Sequence, residues 1–172
     1  MRFVFTQEHN MEIGKTLGDM FITAEQAWRA ADHIIHVTFP VVQDAKLLLR
    51  ALEHLDKATR QTLSVILKYE YIERRVRLSH RGQENIETFF TVCAPAYSLD
   101  PEDRDALREL LVLGKRHRDS GIEFSQKGKM FILDDAAGTV SIAAPQLSVC
   151  AHALRRLQLQ FHQRLKRRET YK

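Results

Sequence analysis

The chain has 172 residues, of which 44% are hydrophobic, 28% charged, and only seven glycine and four proline. That make-up fits one soluble domain, able to bury roughly 70% of its unfolded surface, and excludes collagen-like, disordered and disulfide-stapled chains. The formal net charge of +4 is uneven: residues 155–172 hold seven bases and one acid, and the rest of the chain is slightly acidic.

The elements follow in chain order. Residues 6–22 show no clean period, with Gly14 and Gly18 inside them. A first helix is predicted over Thr23–Val37, where Thr23 and Gln26 have capping-box spacing and Ala27, Ala31, Ile34 and Ile35 share a face; Pro40 ends or redirects it. A second helix starts near Asp44, and Leu48, Leu52, Leu55, Leu63, Ile66 and Leu67 keep its rhythm. It runs either unbroken to about Val76, roughly 48 Å, or with a break near Asp56–Thr59. A third helix is expected over Glu84–Ala94, stopped by Pro95. Asp100–Pro101–Glu102–Asp103 is a strong start for a fourth, with a cap, a proline at the first position and acids in the first turn. Leu107, Leu110, Leu111 and Leu113 are its buried face, and Gly121 ends it.

The period then changes from 3.6 to 2. Ile122 and Phe124, then Met130 and Ile132, flank Gln126–Lys127–Gly128–Lys129 as a β-hairpin. Val140–Ile142 adds a third short strand, and Phe3–Phe5 is a candidate to pair at this edge. A last helix begins near Pro145, with Leu147, Cys150, Leu154, Leu157, Phe161 and Leu165 at helical steps. The fold class is therefore mainly α: a four- or five-helix bundle in a single domain, residues 1–172, with a small hairpin or three-stranded meander before the C-terminal helix.

No stretch reaches the roughly 20 apolar residues of a membrane helix, and the run Met1–Phe5 gives way to polar residues too soon for a signal peptide. Cys93 and Cys150 are far apart and form no redox or metal motif, so a reducing cytoplasm with two free thiols is expected. Glycine-rich phosphate loops, Gly-x-Ser-x-Gly, His-Glu-x-x-His and Glu-x-x-His are all absent from the sequence, and no cofactor is implied. His33 and His36, beside Asp32, are spaced to share a helix face, but two ligands do not complete a metal site.

The charge points instead to a polyanion, with RNA and DNA undistinguished. Candidate phosphate contacts on the last helix are Arg155, Arg156, Arg164, Lys166, Arg167 and Arg168. A second basic cluster adds Arg74, Arg75 and Arg77. Long amphipathic helices without a catalytic constellation also fit a non-catalytic interaction module, homodimeric or otherwise.

The basic last helix and the spaced Arg and His residues resemble the HEPN superfamily. The stretch His117–Phe124, the following Lys127–Ile132 and the closing helix look like a group of uncharacterised archaeal helical-bundle proteins. The HEPN resemblance implies a metal-independent ribonuclease whose Arg and His, with four to six residues between them, handle the scissile phosphate and its protons. Six such pairs occur here, among them Arg2–His9, Arg75–His80 and Arg155–His162, and none of these arginines is followed by Asn, Asp or His. Arg155 and His162, seven apart and nearly in line on the last helix, are the expected catalytic pair.

Overall fold

The computed structural model describes residues 7–134 and 138–170, and side chains over 15–133 and 138–167. The suggested pairing of Phe3–Phe5 and the pair Arg2–His9 fall outside this description. The order is α1 (Gln7–His33), a π-helical segment (Ile34–Thr38), α2 (Phe39–Val42), α3 (Lys46–Ile72), α4 (Gly82–Thr88), a second π-helical segment (Phe89–Cys93), α5 (Ala94–Ala96), α6 (Pro101–Asp119), β1 (Ile122–Gln126), β2 (Lys129–Asp134), β3 (Gly138–Ile142) and α7 (Ala144–Thr170). Each π segment joins its flanking helices into one rod, so five rods carry a three-stranded sheet. No helix among the described residues is long and apolar enough to cross a membrane.

The N-terminal rod is longer than its periodicity suggests. α1 runs through Gly14 and Gly18, and the Thr23 hydroxyl donates to the Asp19 carbonyl one turn back (3.0 Å) instead of capping a new helix. Neither proline terminates its rod. Pro40 and Pro95 each stand two residues after a π segment, and the amide just before each proline bonds five residues back, Phe39 to Ile34 and Ala94 to Phe89. The wider turn accommodates a ring that would clash with the carbonyl of an ordinary α-helix.

α3 is continuous over 27 residues, about 40 Å, with no break at Asp56–Thr59, and it stops at Ile72, short of Val76. Asp44 stands just outside it and accepts the Lys46 amide at 2.9 Å. α1 lies antiparallel along α3, which packs on α6 and α7. Leu48, Leu52, Leu55, Ile66, Leu107, Leu110, Leu147, Leu154 and Phe161 fill a shared core.

The sheet has the order β1-β2-β3, both pairs antiparallel. Lys127 and Gly128 make the two-residue β1–β2 turn, both with positive φ (50° and 73°), as a primed hairpin turn requires. Met130, Ile132 and Ile142 face the core, fully or nearly fully buried.

Candidate nucleic-acid interface

The buried carboxylates organise the basic residues. Glu70, 3% exposed near the end of α3, accepts the Tyr97 hydroxyl at 2.6 Å and Arg75 Nη1 at 2.9 Å, and Arg164 Nε of α7 lies 3.5 Å away. Arg164 also donates to the Ala96 carbonyl (3.1 Å) and lies over the Tyr97 ring, 4.8 Å from its centre. The two basic segments singled out in the sequence thus meet on one glutamate. Burial first, and then the bond to Glu70, push the Tyr97 hydroxyl far up, so it serves as a donor. The bond to Glu70 raises Arg75 further.

Beside this network, between the α5 turn and the last turns of α7, lies a polar cleft of about 210 Å³. Ser98, Gln160, Gln163, Arg164 and Arg167 line it. Arg164 is half-buried there, with Nε 3.5 Å from Glu70, and Arg167 is exposed. Arg74 and Arg77 are exposed on the 73–81 segment, Arg74 with positive φ (58°). Lys166 is exposed too, whereas the Arg168 side chain lies outside the described residues.

The upper half of α7 is not the row of free cations that its spacing suggests. Arg156 grips Asp103 of α6 with two donors. Arg155 pairs with Glu25 of α1 at 2.8 Å, touches Gln158 and lies over the Trp28 ring (4.8 Å). These contacts fasten α7 to its neighbours and neutralise charge that would otherwise face a polyanion. Arg75 is spent in the same way on Glu70 and Glu73.

Arg155 and His162 lie on one flank of α7, as a separation of seven residues requires, and both meet α1. His162 is exposed and stacks on Phe21 at 6.4 Å, while Arg155 is turned to Glu25 and Trp28. Neither lines the cleft at Arg164. A phosphate at Arg155 would have to displace Glu25.

Of the spaced histidines on the first rod, His36 is held by Asp32 (3.0 Å) and the Ser148 hydroxyl (3.0 Å), and His33 is exposed. Among the described residues no group of three or more His, Cys, Asp or Glu could hold a metal ion.

Sequence reasoning overlooked the buried acids Asp56, Glu70 and Asp103 and the buried Gln158, which donates to Thr62 at 3.2 Å. A signal was present. Glu70 continues the Leu63–Ile66–Leu67 rhythm, Asp56 follows Leu52 by one turn, and Asp103 precedes Leu107 by one turn. A carboxylate in core phase needs a cation, and arginines were available on neighbouring elements.

Compared with known proteins, the chain matches no family model, no curated protein sequence and no solved structure.

Proposed function

We propose that this protein is a non-catalytic binding module that holds a phosphate-bearing polymer, a nucleic acid, at the C-terminal end of α7. The observation that carries the reading is the cleft where Arg164, fixed by Glu70, and the exposed Arg167 stand beside Gln160, Gln163 and Ser98. A guanidinium already oriented by a buried partner loses little freedom when a phosphate arrives, and neutral amides and a hydroxyl add hydrogen bonds to phosphate oxygens. Arg74 and Arg77 extend the positive surface. Sites higher on the helix add little, because Arg155 and Arg156 do not line the cleft and are turned to carboxylates on neighbouring helices. The same pairing leaves the HEPN-type ribonuclease reading on Arg155 and His162 with less support. Two free, buried cysteines accord with a reducing compartment, the cytoplasm.

The test is fluorescence anisotropy with labelled RNA and DNA over a salt series. Binding should weaken steeply between about 50 and 200 mM salt, and Arg167→Glu combined with Arg77→Glu should weaken it further and flatten the slope. No binding at low salt, or binding indifferent to both salt and these substitutions, rejects the reading.

A further inference from the structure

The sheet turns one face to the core and leaves the other open. On an antiparallel sheet packed this way the open face is ordinarily polar. Here the register sets Ile122 opposite Leu133 and Phe124 opposite Phe131 on that open face. Ile122 is 56% exposed and Phe124 is 44% exposed. The Phe124 and Phe131 rings lie nearly parallel, 9° apart in plane, with centres 5.2 Å apart.

The surroundings of this aromatic pair are polar and cationic. Alternation places Gln126, Lys129, Thr139 and Ser141 on the same face. Lys127 and Lys129 are exposed at the hairpin turn, and among the described residues neither has a carboxylate within ion-pair distance. The acid of β1, Glu123, points the other way and is taken up by His117 at 2.5 Å.

We propose that this outer sheet face is a stacking platform for single-stranded nucleic acid, with unpaired bases on Phe124 and Phe131 and the backbone phosphates on Lys127 and Lys129. Every base has a π-face, so an aromatic pair with Phe124 exposed and Phe131 half-buried accepts bases with little regard to sequence, and neighbouring lysines supply the counter-charge. A duplex, whose bases are already stacked, has nothing to offer the rings. A second copy of the chain is the poorer occupant: four apolar side chains fall well short of the roughly 800 Å² per partner of a stable interface. β3 leads into the start of α7, whereas the cleft at Arg164 lies about 30 Å further along that helix. The two surfaces share a polymer, and the experiment separates them.

The experiment uses the full chain and labelled oligouridylate and oligothymidylate of about 12 nucleotides, within the usual site size, with an unlabelled duplex as competitor. RNA and DNA arms identify the natural strand. Phe124→Leu keeps an apolar side chain on an exposed position but removes the ring, so the fold should persist, as circular dichroism can verify. The expected result is roughly tenfold or greater loss of affinity in Phe124→Leu, weak competition by the duplex, and retained single-strand binding in Arg167→Glu at reduced affinity. Binding that Phe124→Leu leaves unchanged while Arg167→Glu abolishes it overturns the platform and preserves the cleft. Absence of binding by either oligonucleotide overturns the platform, as does a wild-type dimer in light scattering that Phe124→Asp converts to a monomer.

Discussion

Asp103, in the first turn of α6, is clasped by Arg156 of α7, with Nε 2.6 Å from Oδ2 and a second guanidinium nitrogen on Oδ1. The carboxylate is 3% exposed, whereas the arginine reaches open solvent. The two partners are therefore unequal. Removing the arginine strands a charge in the interior, while removing the acid lets the guanidinium turn outward into water. Arg156→Met is expected to cost about 3 kcal/mol and Asp103→Ala markedly less, read from urea denaturation. Equal costs would mean that Asp103 reaches water when its partner is gone.

Gly114 of α6 gives a second prediction. A Cβ there would run into the carboxylate of Asp56 on α3, which is itself bound by Arg60 at 3.1 Å and by Arg118. Gly114→Ala should therefore destabilise by about 1–3 kcal/mol through overpacking, despite alanine's better helix propensity. Gly18→Ala, where the added carbon meets nothing, should stabilise by about 0.5–1 kcal/mol. Combining Asp56→Ala with Gly114→Ala should cost less than the two single changes together, the sign of a shared steric conflict. Strict additivity would remove the Asp56 contact as the cause.

These carboxylates also explain what could be read from the chain. The last helix and the hairpin were legible because their signals are local: the Leu147–Phe161 stripe is buried throughout, and Lys127–Gly128 makes the turn that the period change indicates. α1 was shortened because its early turns lack a sharp stripe and contain glycines, a local cost that packing along α3 overrides. Pro95 is expected to stop its helix and Pro40 to end or redirect its own, but a π turn lets a proline pass, and nothing in the residue pattern marks that turn. The candidate site was legible as charge and not as geometry. The sequence counts the arginines, and only the packing tells which of them, Arg155, Arg156, Arg75 and Arg164, sit on buried or partly buried acids.

His117 supplies a pH dependence. Its Nδ1 is 2.5 Å from Glu123 and its Nε2 is 3.2 Å from Glu53, so the imidazole bridges β1 and α3. Burial alone would lower its pKa, but the hydrogen bonds and charges of the two glutamates outweigh that and hold it above the ordinary 6.5. A pKa raised by folding stabilises fully below the unfolded value and loses that contribution as pH rises through the folded value. The stability difference between wild type and His117→Gln should therefore be largest near pH 6 and shrink at higher pH. Urea midpoints at a series of pH values measure it. A difference that stays constant or grows with pH would mean the ring is neutral in the fold.

The two thiols test the Glu70 network from another side. Cys93, in the second π segment, is 2% exposed, and burial, followed by the charge of Glu70, pushes it up to about 11. Cys150, fully buried on α7 with its sulfur 3.4 Å from the Ala106 carbonyl, is pushed up to about 12, chiefly by burial. Neither should react with a thiol reagent near neutral pH unless the fold opens, and both should react at once in denaturant. Glu70→Gln weakens the grip on Arg75 and Arg164 and removes the charge that disfavours the Cys93 thiolate. It should accelerate labelling of Cys93 while leaving Cys150 slow, a selectivity that peptide mapping of the labelled protein can read. Equal acceleration of the two would mean that the substitution loosens the whole bundle, and that Glu70 is not the local anchor of the α5 turn.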